Sequence, residues 1–463
     1  MHVEASKDPN NPFRLRPIMA PDANEGIPQE SLQEVVMARR SDIRRDGNVR
    51  PELIVQFDME SCYDQFALGE KVRPLMCLRG PDGVVYALDR LAMGLRPACE
   101  VAQASLWFLL DFERHESVKV SSYIDNIRFS GPRTHTAAAI RTFLDRCKRV
   151  GVQLDRWPDS SSDEDIILMG ERQGDFLGEC YNYDESTRAL TNKTLAKILH
   201  IQTIIDLNVP LTLTALQFST LMGLVFWSAS VLAINLAKMF HLLRAYRESA
   251  SAAASAVNEV STTLIPKAQE ELVQWFKIAT ENVPVPMMGP EGEPTLTIVS
   301  DASSSGFGAF AITRESPEWK VMSGTWPTHL LSKVGSSVFA EPEAIYLACL
   351  RFVRPEDRFV RIFTDHMPLV YACQAGYAKG YYPNELMKRL DSTFPLVRFH
   401  IQYVKGVENP ADGPSRLGGV VGGDYRVPKE EQEKLDTLLE AGVWGTVKNN
   451  VCVPADKFPS FMH

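Results

Sequence analysis

Three short β-rich runs in this chain each end in an aspartate: LIVQFD closing at Asp58, TLTIVSD at Asp301 and RIFTD at Asp365. A strand that presents a carboxylate at its end needs a sheet to hold it and further elements to bring other acids alongside. Such acids stand nearby in the sequence: Asp125 in YIDN follows the first run, while Glu341 in AEPEAIYLACLRF and Asp412 in NPADGPSR accompany the later two. Hard divalent cations prefer carboxylate oxygens. Acids recurring in the order needed to converge twice therefore imply two metal-dependent centres acting on phosphate esters.

The chain has 463 residues, of which 45% are hydrophobic, enough for several cores and, as a prior, for about three domains. Its longest apolar stretch, around residues 221 to 236, is interrupted by Ser228, Ser230 and Asn235 and falls short of the roughly 20 residues that span a bilayer. No transmembrane helix or membrane partner is expected. The segment MHVEASKDPNNPFR has no apolar run behind its charges, so no signal peptide is expected and the localisation read from it is intracellular, in nucleus or cytoplasm. Eight scattered cysteines without a CxxC pair argue against a zinc or disulfide framework. A net charge of −9 opposes a polyanionic partner for the chain as a whole, but the acidic motifs and SSDEDI (161–166) carry much of that charge. ARRSDIRRDGNVR supplies Arg39, Arg40, Arg44, Arg45 and Arg50; a solvated helix face and a template contact are equally good readings of it.

The first run predicts a strand delivering Asp58. Two alternating segments joined by Gly80-Pro81-Asp82-Gly83 predict a hairpin, residues 97 to 112 predict a helix, and KVSSYIDNIRFSG (119–131) predicts a second hairpin with Asp125 and Asn126 at its turn. The helix after it should close at Gly151, where a left-handed cap is cheapest. Strand, helix, hairpin, helix is the order of a ferredoxin-like split sheet. From Asn192 to about Ala279 the pattern is helical, with ESASAAASAV (248–257) reading as a linker or exposed helix. VPVPMMGPEGEP (283–294) marks a boundary before a new β-rich start. KEEQEKLDTLLEAGV predicts a short amphipathic helix in the tail, with no role assigned.

Through most of residues 7 to 190 the chain resembles the reverse transcriptase family. FDMESCYDQF resembles its motif A, LAMGLRPACEVAQ its motif B, YIDN its YxDD box, RLRPIM its fingers segment and DFLGE (175–179) its primer-grip hairpin at Leu177 and Gly178. The resemblance implies Asp58 and Asp125 as metal ligands, Tyr63 as the steric gate against a ribose 2′-OH, and Arg16, Met93 and Gly94 at the dNTP, with Lys7 as a phosphate contact. Two positions depart from the pattern: Asn126 stands where a second aspartate is usual, and Arg156 is the nearest cation to the missing motif D lysine. Glu60 is a compensating ligand or, on the plainer reading, a solvent-exposed side chain.

Residues 295 to 416 resemble the retroelement ribonuclease H family, whose D-E-D-D order is matched by Asp301, Glu341, Asp365 and Asp412, with Glu343 a rival to Glu341. Tyr403 takes the place of that family's mobile histidine, and His366 reads as a helix-start surface residue. The fold class implied is α/β, in the multidomain α+β sense. It comprises fingers and palm (1–190), a helical thumb or connection (191–290), a ribonuclease H-like mixed sheet (291–420) and a C-terminal tail (421–463). The function implied is RNA-directed DNA polymerisation with ribonuclease H cleavage, using Mg²⁺ or Mn²⁺ and taking an RNA template, a DNA primer, dNTPs and the RNA/DNA hybrid as partners. The NPADGPSR ending and the long helical stretch look most like the tyrosine-recombinase retrotransposons, of DIRS or VIPER-like type, with gypsy-type elements as the alternative. A recombinase or other element proteins would come from another chain. The competing reading is a catalytically decayed copy that serves as a nucleic-acid-binding scaffold, or that keeps only the ribonuclease H activity.

Overall fold

The computed structural model of the chain describes residues 2–4, 16–18, 22–28, 30, 32, 35–79, 82–160, 162–207, 209–255, 261–288, 292–417 and 426–442. Its elements are mixed α and β, with 13 α-helices among the described residues, and it divides into two compact units, Met1–Arg188 and Ala189–His463.

In the first unit β1 (His2–Glu4) pairs antiparallel with β2 (Arg16–Ile18). Next come α1 (Arg40–Asn48), β3 (Leu53–Asp58) and the expected hairpin of β4 (Cys77–Arg79) and β5 (Val85–Ala87). α2 (Ala98–Leu110), β6 (Lys119–Tyr123), β7 (Asn126–Gly131), α3 (Arg133–Val150) and α4 (Asp163–Leu168) follow. The central sheet runs β3-β7-β6, antiparallel throughout, with Asp58 opposite Asn126. Leu53, Val55 and Phe57 alternate inward, and α2 and α3 cover them with Leu106, Ile140 and Phe143. A slip of one residue would turn that row away from α2 and α3, so the apolar face fixes the register that sets Asp58 beside the β6–β7 turn. β8 (Gln173–Phe176) and β9 (Glu179–Asn182) form a hairpin whose two turn residues, Leu177 and Gly178, both have positive φ, as a two-residue connection between twisted strands favours.

The arginine cluster on α1 is largely occupied inside this unit. Glu179, fully buried, accepts from Arg44 at 2.5 and 3.0 Å and from Tyr181 Oη at 2.9 Å, with Arg40 at 3.4 Å. Arg50 donates to Ser186 and Arg45 pairs with Asp42. A buried carboxylate left without its arginine costs several kcal/mol, on the order of 3–5. Arg44 thus anchors α1 to the β8–β9 hairpin.

β10 (Thr187–Leu190) spans the division between the units. The second unit begins with a helical layer: α5 (Asn192–Ile204), β11 (Thr212–Thr214), α6 (Ala215–Leu232), α7 (Phe240–Ser255), β12 (Ser261–Thr263), α8 (Pro266–Glu281) and β13 (Val285–Pro286). ESASAAASAV is helical through Ser255, with residues 256–260 outside the described residues. By length and composition α6 is apolar enough to cross a membrane. Its buried face nevertheless packs on α8, and Trp275 Nε1 donates to Ser228 Oγ at 2.7 Å within that core. Ser228, one of the polar interruptions noted in the sequence, is thus satisfied internally.

The remaining elements are β14 (Leu296–Ala302), β15 (Gly306–Thr313), β16 (Ser316–Thr325), α9 (Ser337–Phe352), β17 (Phe359–Thr364), α10 (Met367–Ala375), α11 (Tyr381–Thr393), β18 (Arg398–Tyr403), α12 (Asp412–Ser415) and α13 (Lys429–Glu440). Sheet order is β16-β15-β14-β17-β18, antiparallel from β16 to β14 and parallel from β14 to β18. Two central parallel strands bring their carboxyl ends to one edge; Asp301 and Asp365 emerge there. Within this unit Lys238 pairs with Asp391 of α11 at 2.5 Å and Phe240 packs edge-on against Tyr381. These contacts join the helical layer to the sheet layer despite the Pro/Gly-rich segment between them.

Candidate metal centre

Asp301 at the end of β14, Glu341 in the first half of α9 and Asp365 just after β17 bring one carboxylate oxygen each to within 4.8 Å of one another. Asp301 and Glu341 are 5% and 6% exposed, too little for water to screen three anions. Burial, reinforced by the charges of Asp365 and Asp412 and opposed by a hydrogen bond with Ser415, pushes the Asp301 carboxyl up to about 6. Burial and then the two aspartates push Glu341 up to about 9. Asp365 rises through burial and the nearby Asp412. Glu341 Oε2 is buried without a hydrogen-bond partner. Converging acids, one with an orphaned oxygen, are a donor set that fits a divalent cation.

Asp412 stands apart from this trio. It pairs with Arg416 at 2.6 Å and lies on the exposed side of α12, although its charge reaches both Asp301 and Asp365. Glu343 is committed elsewhere, to Arg389 at 2.5 and 3.2 Å, which leaves Glu341 beside the aspartates. His366 is a correction: it is 9% exposed rather than a surface residue, caps α10, and keeps its Nδ1 without a partner. Packing of the β17–α10 corner wins over the polarity of its ring, and burial holds its pKa down. Tyr403 ends β18, 45% exposed.

Several residues that hold the trio carry weak sequence signals. Asn409, 1% exposed, donates from Nδ2 to the Ser300 carbonyl oxygen at 3.1 Å and to Asp301 Oδ1 at 3.3 Å, and accepts from the Ala411 N–H at 3.0 Å. An Asn before Pro in NPADGPSR is a turn signal, and its side chain serves both turn and carboxylate. In SSSGFGAF, a Cβ at Gly308 would collide with the Ser415 nitrogen and with Pro414. Backbone without a side chain on β15 is what lets the α12 turn settle on the sheet.

In the first unit Asp58 is exposed and Asp125 half-buried. Met59 N–H donates to the Asp125 carbonyl oxygen at 2.9 Å, tying the end of β3 to the β6–β7 turn. Cys62 records both acids: burial first, then the charges of Asp125 and Asp58, push its thiol up to about 12. Among the described residues no third acid, His or Cys completes a ligand group here. Asn126 Nδ2 donates to Asp125 Oδ1 at 2.8 Å, Asp155 accepts the Asp58 N–H at 2.8 Å, and Glu60 is exposed. Arg156 is bound to the Gln56 carbonyl oxygen and, at 2.6 Å, to Glu171, so it serves the edge of β3.

Tyr63 Oη lies 3.3 Å from Cys99 Sγ, and burial and that contact raise its phenol. Met93 is 38% exposed. Gly94 has φ +102 and its carbonyl oxygen accepts from Asn24 Nδ2 at 2.8 Å. The Arg16 backbone lies in β2; its side chain and all of Lys7 lie outside the described residues. Sequence reasoning passed over Gln103, a fully buried amide on the apolar stripe of α2. It accepts from the Ile124 N–H at 2.7 Å and donates to Ser122 Oγ at 2.9 Å. Ile124 has φ +56, a conformation a β-branched residue adopts only when its surroundings impose it.

No family model and no curated protein matches this chain. Among solved structures it is similar to the foamy viral protease-reverse transcriptase in three forms. The dRH form in complex with double-stranded DNA has 14% identity and TM-score 0.44, covering 87% of this chain and 65% of that one. The complex with double-stranded DNA has 13% identity and TM-score 0.46, covering 87% and 77%. The complex with RNA/DNA hybrid has 14% identity and TM-score 0.44, covering 92% and 52%. This chain thus spans less than two thirds of the length of the first of them.

Proposed function

We propose that the chain is a retroelement reverse transcriptase with ribonuclease H activity, an RNA-directed DNA polymerase that also cleaves RNA in RNA/DNA hybrids, of the tyrosine-recombinase retrotransposon type. The observation that carries the reading is the trio of Asp301, Glu341 and Asp365 within 4.8 Å at the carboxyl edge of parallel strands. Divalent cations, when bound, supply Lewis-acid activation of water and neutralisation of the departing 3′ oxygen at one centre, and the corresponding charge neutralisation for nucleotide addition at the other. The chain's own residues do the rest. Asp301, Glu341, Asp365 and Asp412 would hold cations for cleavage, and Asp58 with Asp125 for polymerisation. Asn409 orients the Asp301 carboxylate, and the Met59–Asp125 backbone bond keeps the upstream pair together. Tyr63 would close the nucleotide site against a 2′-OH, with Met93, Gly94 and Arg16 around the dNTP. An RNA template, a DNA primer and the RNA/DNA hybrid are the proposed partners. A groove of about 880 Å³ lined by Phe240, Arg247, Lys379 and Tyr381, in which Arg244 is paired with Glu248 at 2.8 Å, offers Arg247, Lys379 and aromatic rings to such a backbone despite the net negative charge.

A second reading, in which only hybrid cleavage survives, is favoured by Asn126, whose amide donates to Asp125 in place of a second carboxylate. Primer extension and hybrid cleavage with Mg²⁺, run on wild type, Asp58→Ala and Asp301→Ala, separate the two. Each substitution should abolish one activity and spare the other. Cleavage without any dNTP incorporation by wild type selects the second reading, and loss of neither activity in its variant removes the first.

A further inference from the structure

The apolar row that α13 covers is built across four strands. Val321, Phe310, Val299 and Phe363 stand opposite one another in register, and Val299 precedes Asp301 by two residues, so both belong to one face of β14. Leu435 of α13, with no exposure, closes on Val299, Phe310 and Ala411. Ala411 is the residue before Asp412. At one end of the helix the Glu431 carboxylate lies against Gly413 so closely that a Cβ there would overlap its Oε1. At the other, buried Arg361 donates to the Gly442 carbonyl oxygen at 2.8 Å, the favourable polarity for a cation beside a helix C-terminus.

The helix is therefore held at both ends and in the middle, and two of its side chains bear on the turn that carries Asp412. We infer that α13 is a positioning element for Asp412: Leu435 seats Ala411, Glu431 seats Gly413, and together they set how far the fourth carboxylate stands from Asp301 and Asp365. The four-residue α12 is too short to hold itself by its own hydrogen bonds; Ser303 and Ser323 tie its last carbonyl oxygens to the sheet at 2.6 and 2.7 Å, and α13 adds its contacts at Ala411 and Gly413, on either side of Asp412. This inference rests on the reading of the trio as a metal centre.

Glu431→Ala removes the contact at Gly413 and leaves the apolar core intact, while Leu435→Ala removes the seat beneath Ala411. In the full-length chain, Mn²⁺ binding is followed by calorimetric titration and hybrid cleavage as a function of Mg²⁺ concentration. For Glu431→Ala the expected result is Mn²⁺ binding weakened by about tenfold, the usual effect of losing a group that orients a ligand. The half-saturating Mg²⁺ should rise in parallel, with hybrid affinity in EDTA and primer extension unchanged and maximal cleavage restored at high Mg²⁺. Leu435→Ala should shift the metal dependence in the same direction. Metal dependence equal to wild type in both variants overturns the proposal, as does a fall in maximal rate or hybrid affinity with the metal dependence unmoved. Wild type that binds Mn²⁺ yet cleaves nothing overturns the nuclease reading alone, and the binding titration still decides the role of α13.

Discussion

Asn126 donates from its amide to the Asp125 carboxylate at 2.8 Å, across the strand pair from Asp58. The bond occupies an oxygen that a cation would otherwise take, and it replaces a charge with a dipole. Asn126→Asp should therefore strengthen Mg²⁺ use by the upstream centre, lowering the half-saturating Mg²⁺ for primer extension by about tenfold, the scale of a change in what orients a metal ligand. Repulsion between adjacent carboxylates should lower the variant's stability slightly in EDTA. Primer extension against Mg²⁺ concentration measures the first effect, and an unchanged titration would show that the Asn126 amide does not compete with a cation at Asp125.

What the sequence made legible was local. Alternation in LIVQFD and TLTIVSD, a turn in YIDN and helical spacing in AEPEAIYLACLRF place Asp58, Asp301, Asp125 and Glu341 on the expected elements, because strand and helix periods are written in neighbouring residues. Partnerships made over distance were illegible. Asn409 meets Asp301 across 108 positions and Arg44 meets Glu179 across 135, whereas the local pattern offered that arginine only a solvated helix face or a template contact. The tail helix showed its amphipathic pattern, but no local signal says that Leu435 belongs on Phe310. His366 and Gln103 were misjudged or passed over for one reason: polar side chains on buried surfaces break the pattern from which burial is inferred.

Gln103 is expected to act through the turn that bears Asp125. Its replacement by Leu leaves the Ile124 N–H and Ser122 Oγ without their partner, which costs about 1–3 kcal/mol at a residue whose φ is already +56. Urea unfolding should report that loss, and primer extension should fall while hybrid cleavage per folded molecule stays the same. Equal losses in both activities would instead indicate general unfolding.

The groove at Arg247 and Lys379 should contribute to hybrid affinity through phosphate contacts. Charge-reversing Arg247→Glu is expected to weaken binding to hybrids of unrelated sequence by similar factors. Removing one phosphate contact should flatten the slope of log affinity against log salt by about 0.9. Filter binding in EDTA at several salt concentrations measures both, and a sequence-dependent loss would contradict a backbone contact.

The buried acids tie stability to pH. Asp301 is pushed up to about 6 and Glu341 to about 9, so without metal the folded chain holds these protons more tightly than the unfolded chain does. Their contribution to stability is fully present below the unfolded values, near 3.8 and 4.5, and is lost as pH rises through about 6 and then about 9. Glu341→Gln keeps the shape and cannot ionise. In EDTA at pH 9 it should be more stable than wild type by about 0.5–2 kcal/mol, the common size of a single stabilising substitution, with the difference shrinking toward pH 4.5. The same substitution should reduce hybrid cleavage at least about a hundredfold. For wild type, Mg²⁺ should raise the Tm more at pH 8 than at pH 5.5, because the cation competes with protons for these oxygens. A Glu341→Gln chain that melts below wild type at pH 9 would mean that the glutamate is stabilising as an anion, and the trio would then need a permanent cationic partner from the protein itself.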